Sequence, residues 1–439
     1  MKENKVFNNA KWIVLCKLAQ SVLQLIVGMI SARYLGPSNY GLISYAASIV
    51  AFAIPFMRLG FDATLVREYV EAPKKEAEIT GTAVAMNIMS SVACLFGVIG
   101  FSAVSNVNDR TTVLVCSLYS ISLVFAAVEM IQYWFQYKLL SKYSSVVMLV
   151  SYFAVSAYKI FLLATQKSVF WFAVSHSVEY GLIGFALLAV YYKQGGRFRF
   201  SWSLAKKMLS NSKHYILAAL MVVIIQNTDH VMLTLMIGEA ENGFYSAAIT
   251  SVTVFQFVYT AIIDSYRPVI LGNKKQGDPE YTLNMTRLYS IILYLALAQG
   301  IVFTVAGRLI IGVLYGSEYV AAVPVLRILA WFVAFAMMGS VRNVWILAEQ
   351  KQKYLWIINL SGALFNVALN LVLIKPLGAR GAALASVLTQ IFSNFVLGFI
   401  WKMLRENNRL ILKSLSPKFA IGEAKKLLSS VKKGSACDE

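Results

Sequence analysis

The sequence has few of the residues that enzymes and metal proteins depend on. Its 439 residues include only three histidines and four cysteines. None of the histidines is at metal-ligand spacing, and the cysteines form no disulfide pattern. There is also no P-loop, no HExxH and no GxSxG motif. These absences argue against an ATP-driven pump and a metalloprotease, and we expect the protein not to be an enzyme.

Acidic residues are also scarce. The chain has 21 aspartates and glutamates against 40 lysines and arginines, a formal net charge of +19. Charged residues make up only 14% of the chain, hydrophobic residues make up 58%, and the mean hydropathy is +0.64. In a soluble protein the positive charge would indicate nucleic-acid binding, but a chain this apolar is not a soluble domain. The composition predicts a polytopic membrane protein.

Long apolar runs recur along the whole chain. A helix that crosses a bilayer needs about 20 apolar residues. The first run is too long for a cleaved signal peptide. We therefore predict an all-α fold with twelve transmembrane helices, at 12–32, 41–61, 80–104, 112–134, 144–165, 169–191, 214–237, 243–263, 284–306, 325–347, 354–374 and 380–403.

An internal repeat relates the two halves of the chain. Gly36 and Gly41, which flank a short connector, recur 202 residues later as Gly238 and Gly243. The same ungapped offset pairs other residues, among them Lys11 with Lys213, Gln24 with Gln226, Asp62 with Asp264 and Thr80 with Thr282. Close packing of membrane helices explains recurring glycines but not the matching charged residues. The pattern therefore indicates a duplication of the kind found in transporters.

The connectors between the spans differ sharply in charge. The connectors on the same side of the membrane as the N-terminus carry 29 lysines and arginines, and those on the opposite side of the membrane carry six. Positive residues are retained on the cytoplasmic side of a membrane. We therefore predict that both termini are cytoplasmic, which agrees with an even number of spans.

The repeat and the topology together predict two six-helix lobes around a central cavity. Six spans separate the repeats, so the halves share one orientation. The predicted domains are an N-terminal lobe (1–192), a basic cytoplasmic connector (193–213), a C-terminal lobe (214–403) and a basic cytoplasmic tail (404–439). Within the connector, residues 203–212 are expected to form a short amphipathic helix at the interface. The tail either contacts anionic headgroups or is a solvated segment.

Two acidic residues lie deep within spans, where ionisable groups are costly. Glu179 is about 15 Å from either boundary of its span at the helical rise. Lys159, at a similar depth on the preceding helix, can pair with it, which leaves a structural pair and a cavity-lining role both open. Asp229 lies in an unusually polar turn beside His230, and this setting favours a cavity-lining role.

Five separated stretches carry a family resemblance. They occur in the expected order along nearly the whole chain and read ARYLGPSNYG, PFMRLGFDATLVRE, EMIQYWFQYKLLSKYSS, VLYGSEYVAAVPVLRIL and IKPLGARGAALASVLTQ. In combination they resemble the polysaccharide repeat-unit flippases of bacterial surface polysaccharide synthesis, such as O-antigen, lipopolysaccharide and capsule. These belong to the multidrug/oligosaccharidyl-lipid/polysaccharide exporter superfamily.

The resemblance implies a substrate and a location. The substrate would be an undecaprenyl-pyrophosphate-linked oligosaccharide, moved by alternating access across the bacterial inner membrane to the periplasmic leaflet. Other polysaccharide assembly proteins are candidate partners, and no cofactor is expected beyond a coupling ion, H⁺ or Na⁺. Two alternatives remain: a cation-coupled multidrug exporter of the same superfamily, whose cavity should be acidic and aromatic, and a membrane-embedded polymerase, which should have a sizeable external loop or a cluster of carboxylates.

An anionic pyrophosphate substrate calls for fixed positive charge in a low-dielectric cavity. Arg58 and Arg287 are also explained as cytoplasmic flanking charges, whereas Arg33 lies on the outer side, against the charge rule. The candidate substrate-binding residues are Lys17, Arg33, Arg58, Lys159, Arg287 and Arg342.

The carboxylates are candidates for coupling or gating, because they would repel a pyrophosphate. Asp62 and Asp264 are equivalent in the repeat, and each has an arginine nearby, so salt bridges there could open and close with the cytoplasmic side. They could equally cap helices or balance local arginines permanently. The candidate coupling or gating residues are Asp62, Glu179, Asp229, Asp264 and Arg267.

Overall fold

The computed structural model describes residues 2–276 and 280–416, and within these ranges every regular element is a helix. Numbered in chain order, the α-helices are α1 (Lys2–Arg58), α2 (Leu65–Glu71), α3 (Glu76–Ser105), α4 (Arg110–Ser120), α5 (Ser122–Ala126), α6 (Ile131–Tyr137), α7 (Ser141–Ala164), α8 (Val169–Lys193), α9 (Trp202–Met236), α10 (Glu239–Thr253), α11 (Gln256–Gln276), α12 (Glu280–Tyr315), α13 (Ala322–Ala348), α14 (Leu355–Leu377), α15 (Ala379–Ile391), α16 (Leu397–Ile400) and α17 (Arg405–Ser414).

These helices cover all twelve predicted spans. Among the described residues, ten helical stretches are individually long and apolar enough to cross a membrane, and the pair α10 and α11, bent by 40°, makes an eleventh. One of the ten, Ala19–Arg58, is 40 residues long and includes most of each of the first two predicted spans. The chain is an all-α, multi-pass membrane protein.

The break between the first two spans lies at Gly36. Its backbone is non-helical, with φ 71° and ψ 171°, and Gly238, its equivalent in the repeat, also has a positive φ of 135°. Only glycine adopts such angles without strain. The repeat seen in the sequence therefore recurs in the backbone, at the two turns where it is most evident.

The repeat also appears as a symmetric contact. A Cβ atom added to Gly41 would overlap the carbonyl oxygen of Glu239, and one added to Gly243 would overlap the carbonyl oxygen of Pro37. Pro37 and Glu239 are themselves 202 residues apart, so each half makes the same contact on the other. The side-chain amide of Asn242 also donates to the carbonyl of Gly41 at 2.8 Å. We call this the glycine crossing.

The described chain divides into two packed units. Unit 1 is Met1–Ser246 with Leu314–Glu318, and it contains the glycine crossing; unit 2 is Ala247–Val313 with Tyr319–Glu439. In unit 1, apolar side chains of α1, α4 and α8 form one buried cluster, and those of α2, α6 and α8 form a second. The lobe boundaries predicted from the sequence stay a prediction.

The predicted connector (193–213) contains a turn and the start of a long helix. The turn at Gly195 does end α8, with φ 81°. The expected amphipathic helix at 203–212, however, is the first part of α9, which runs without a break to Met236. One face of this part packs on protein, since Ser212 donates to the carbonyl of Leu59 at 2.7 Å and Asn211 to Glu68 at 3.0 Å.

The tail begins with a folded element that was not predicted. Helix α17 buries one face, including Asn407 and Ile411, and the Tyr289 hydroxyl of α12 donates to the Asn407 amide oxygen at 2.6 Å. The predicted tail region beyond residue 416 lies outside the described residues.

Candidate functional site

Unit 1 contains a group of charged and aromatic side chains that lie between its packed helices. Three of them, on α8, are spaced i, i+3 and i+4 and so share one helix face. The group, called the polar cluster below, comprises Arg58, Tyr119, Glu129, Tyr152, Lys159, His176, Glu179 and Tyr180. Polar groups inside an apolar helix bundle are costly unless they are paired or serve a ligand.

An ion pair between Arg58 and Glu129 forms one end of the polar cluster. Arg58 is the last residue of α1, and Glu129 lies in a single 3₁₀ turn between α5 and α6. The guanidinium Nη2 is 3.1 Å from the carboxylate, and the side chains are 26% and 16% exposed, so both remain partly accessible. The Nε atom of Arg58 is buried and makes no hydrogen bond within the described chain. This guanidinium therefore retains a donor for a further acceptor.

A second pair of opposite charges lies further along α8. The ammonium of Lys159, on α7, interacts electrostatically with the carboxylate of Glu179. Glu179 is buried, with 5% exposure, and the Tyr152 hydroxyl lies near its carboxylate. The two charges are therefore neighbours, but none of the ion pairs within the described residues joins them.

Aromatic rings in contact with one another are also part of the polar cluster. The rings of Tyr119 and His176 are stacked, with centroids 4.1 Å apart, and Tyr180 meets His176 edge to face at 5.0 Å. The Tyr180 hydroxyl lies within electrostatic reach of Glu129, Glu179 and Arg58. The polar cluster is therefore one connected set with two positive charges, two negative charges and several hydroxyl groups.

The six predicted substrate-binding residues are not brought together. Only Arg58 and Lys159 belong to the polar cluster. Arg33, also in unit 1, is exposed and lies against Gly316, and Lys17 lies in α1 with its side chain outside the described part. Arg287 and Arg342 belong to unit 2.

The predicted coupling residues are distributed differently from expectation. Glu179 is in the polar cluster, and Asp264 forms a half-exposed ion pair with Arg267 at 2.9 Å in unit 2. Asp62, in contrast, lies in a 3₁₀ turn, and its predicted partners are taken, since Arg58 binds Glu129 and Arg67 binds Glu71 at 3.5 Å. Equivalence in the repeat does not extend to the local structure here.

Asp229 is buried in α9 with 2% exposure. Its carboxylate accepts a hydrogen bond of 2.6 Å from the Tyr245 hydroxyl. The neighbouring His230 Nδ1 is 2.7 Å from the side-chain oxygen of Asn242, the residue that also binds the glycine crossing. The polar turn noted in the sequence therefore adjoins the crossing.

Sequence reasoning missed most of the aromatic members of the polar cluster, and it did not single out Glu129. A signal was available for part of it. His176, Glu179 and Tyr180 share one face of α8 by spacing, and Tyr152 and Lys159 are seven residues apart on α7. No spacing rule, however, joins Arg58 to Glu129, which are 71 residues apart.

Comparison with known proteins gives one family match. Residues 6–272 match the family model described as polysaccharide biosynthesis protein. No curated protein matches the chain significantly.

Solved structures match nearly the whole fold. One is a MATE family multidrug resistance transporter of the MOP superfamily in an inward-facing conformation. The match covers 90% of this chain and 96% of the transporter's chain, with TM-score 0.69 and 14% identity. Another is the lipid II flippase MurJ in an inward closed conformation. The match covers 92% of this chain and 90% of the MurJ chain, also with TM-score 0.69 and 14% identity. A third is a MOP superfamily transporter from Pyrococcus furiosus, described as having a binding pocket of reverse polarity. The match covers 91% of this chain and 95% of that transporter's chain, with TM-score 0.51 and 14% identity. The fold is that of MOP superfamily transporters, which have twelve helices.

Proposed function

Because the chain belongs to the polysaccharide biosynthesis protein family, we propose that it is a flippase for an oligosaccharide linked through pyrophosphate to undecaprenol. It would take this lipid from the cytoplasmic leaflet of a bacterial inner membrane and deliver it to the periplasmic leaflet. The similarity of its fold to a lipid II flippase supports the assignment of a lipid-linked substrate.

The observation that supports the proposal most is that Arg58 keeps an unpartnered Nε donor beside its ion pair with Glu129. A guanidinium binds phosphate oxygens in a bidentate manner, and such charge-assisted bonds are strong in a site of low dielectric. Arg58 has a buried Nε donor to spare, and its partner Glu129 is itself partly exposed. A pyrophosphate could therefore bind Arg58 in exchange for Glu129. Lys159 would supply the second positive charge of the polar cluster.

The remaining members of the polar cluster suit a sugar. Faces of aromatic rings pack against the apolar faces of sugar rings, and tyrosine hydroxyls exchange hydrogen bonds with sugar hydroxyls. The Tyr119 and His176 stack and the Tyr180 ring provide both kinds of contact next to the charged groups. One site would then bind the linkage and the first sugars together.

Release would follow from the same pairs. When the substrate leaves, Glu129 re-forms its pair with Arg58, so the empty site has no uncompensated charge. The Asp264 and Arg267 pair, and Asp62 beside Arg58, remain candidates for gating at the cytoplasmic side. A two-state transporter needs such exchangeable contacts, because a ligand shifts an equilibrium only through differential binding.

The function is tested by removing the protein from cells. Depletion should cause lipid-linked oligosaccharide to accumulate on the cytoplasmic leaflet, because synthesis continues while transfer stops. Leaflet location can be measured with an impermeant glycosidase added to intact spheroplasts and to inside-out vesicles. Equal distribution of the lipid with and without the protein would contradict the proposal.

A multidrug exporter is the second candidate, favoured by the fold of MATE transporters and by the two carboxylates of the polar cluster. The two positive charges oppose it, since an organic cation would be repelled by them. Dye-efflux measurements in cells with and without the protein distinguish the two. Efflux of cationic dyes that depends on Glu179, with no change in lipid-linked oligosaccharide, would favour the exporter.

The predicted topology can be checked by labelling single cysteines. In a cysteine-free background, Gln194→Cys should be labelled only from inside and Val107→Cys only from outside by an impermeant thiol reagent. Both side chains are exposed, and Gln194 avoids the strained position at Gly195. Labelling of position 194 in intact cells would contradict the assignment of cytoplasmic termini.

We also propose that Asp229 participates in coupling. Asp229→Asn retains the size of the side chain and a hydrogen bond to Tyr245 but removes the charge, so we expect insertion at wild-type level. Transport by this variant should lose its dependence on an imposed H⁺ or Na⁺ gradient. A wild-type rate with an unchanged gradient dependence would show that the carboxylate is structural. Glu71→Gln, at an exposed surface pair with Arg67, is the matched control and should keep its gradient dependence.

A further inference from the structure

Unit 2 contains a second buried charge, remote in sequence from the polar cluster. The guanidinium of Arg342, on α13, is 5% exposed. Its Nη1 donates to the carbonyl of Ser393 at 2.8 Å and its Nη2 to the side-chain oxygen of Asn343 at 3.3 Å. None of the ion pairs within the described residues includes Arg342. A cation this deeply buried is normally paired with an anion.

Further buried donors without partners belong to Arg342 itself, to Ser393, whose carbonyl it binds, and to Trp345. The Nε atom of Arg342 itself, the hydroxyl of Ser393 and the indole Nε1 of Trp345 are all buried and make no hydrogen bond within the described chain. Trp345 is one helical turn from Arg342, on the same face of α13. Three donors therefore lie along one junction, where buried polar groups are almost always satisfied.

A π-helical turn, Phe392–Val396, connects these donors to the tail helix. Its Ser393 carbonyl binds Arg342, and its Phe395 carbonyl accepts from the Asn408 amide of α17 at 2.8 Å. Single π turns inside α-helices are frequently found at functional sites. Gly339 of α13 also allows close approach, because a Cβ atom there would crowd the side chain of Asn394.

The tail helix contributes one further donor and one acceptor. The Asn407 Nδ2 group is buried without a partner, while its Oδ1 accepts from Tyr289 at 2.6 Å. The Asn408 Oδ1 is the acceptor without a partner, and it lies against Gly398. The Tyr289 phenol is also an electrostatic neighbour of Arg342. Donors thus outnumber acceptors around a positive charge.

We propose that this donor cluster, formed by Arg342, Trp345, Ser393 and Asn407, binds a small inorganic anion of halide size. A water molecule would bring as many donors as acceptors and would leave the positive charge uncompensated, whereas an anion accepts from every donor. The enclosure of these atoms by packed helices favours a monatomic ion over phosphate. The anion would fasten α17 to α13 and α12, so that docking of the tail depends on it. The proposal is independent of the flippase assignment.

The test is the thermal stability of the purified full-length protein in detergent. Sodium chloride or bromide is titrated against sodium gluconate at constant ionic strength. We expect a saturable rise in Tm, on the order of 3 °C at a hundred times the dissociation constant. A Tm that does not change between halide and gluconate would overturn the proposal and would indicate that water satisfies the donors.

Variants assign the effect to the donor cluster. Arg342→Met should abolish the halide response. Two milder variants, Trp345→Phe and Ser393→Ala, each remove a single donor and keep the guanidinium. Each should raise the halide concentration at half-maximal effect about threefold to tenfold. Arg327→Met is the matched control, since Arg327 is on the same helix and its Nε also binds a carbonyl, that of Thr304, but the side chain is exposed. It should retain the full response. An undiminished response in both Trp345→Phe and Ser393→Ala would place the anion elsewhere and contradict the proposal.

Discussion

Gly41→Ala is expected to destabilise unit 1 and to abolish transport. The added methyl group would overlap the backbone carbonyl of Glu239, and backbone cannot rotate away as a side chain can. The two segments would have to separate, which would also weaken the hydrogen bond from Asn242 to the Gly41 carbonyl. Overpacking of this kind costs about 3 kcal/mol. Thermal unfolding of the purified protein should show a Tm lower by roughly 3 °C.

The repeat supplies an internal check on this prediction. Gly243→Ala should have the same effect, because Gly243 makes the equivalent contact with Pro37. Gly28→Ala is the control on the same helix, since no atom lies within 4 Å of a Cβ placed there. It should be neutral or slightly stabilising, by the helix propensity of alanine. A Tm for Gly41→Ala equal to that of Gly28→Ala would show that the glycine crossing does not matter for stability.

Replacing Arg58 is expected to reduce transport by roughly 10- to 100-fold, the loss of one or two charge-assisted hydrogen bonds to phosphate. Arg58→Met alone would also leave Glu129 partly buried without its partner, which costs about 2 kcal/mol of stability. The single variant therefore does not separate a structural role from a binding role.

The double variant Arg58→Met with Glu129→Leu separates them. Apolar side chains of similar size commonly replace a buried ion pair without loss of stability. We expect a Tm close to that of the wild type but transport as low as in Arg58→Met, because no positive charge remains at that end of the polar cluster. Recovery of transport in the double variant would show that the ion pair only holds the helices together. Lys138→Met, which removes the 2.6 Å pair with Glu76 in the same unit, is the control and should transport normally.

Much of the fold follows from the sequence, because the bilayer imposes strong rules. Apolar runs of sufficient length must be helices there, since every backbone group has to be satisfied within the segment. The positions of Gly36 and Gly238 also identified the turns, because positive φ angles require glycine. The apolar runs did not reveal where a helix continues beyond the run itself. Helix α9 starts at Trp202, in a segment with many lysines, because one face of its first part packs on the residues around Leu59 and Glu68.

The candidate site was less predictable. Single deep charges such as Glu179 stand out against an apolar background, and so does a neighbour of opposite charge on the next helix, Lys159. The Arg58 and Glu129 pair depends on how α1 packs against the turn between α5 and α6, and no local pattern encodes that packing. The expectation of a mainly basic site also depended on adding charges over the whole chain. The polar cluster selects two of the basic residues and balances them with two acids.

The most direct measurement of the central claim is lipid translocation by the purified protein. Vesicles are prepared with a lipid-linked oligosaccharide whose terminal sugar is removed by an impermeant glycosidase. With the wild-type protein, we predict that the enzyme cleaves the lipid of both leaflets, whereas with the Arg58→Met and Glu129→Leu double variant, reconstituted to the same level, it cleaves only the outer-leaflet fraction. Cleavage limited to the outer leaflet with the wild-type protein would contradict the flippase assignment, and complete cleavage with both proteins would contradict the role of the polar cluster.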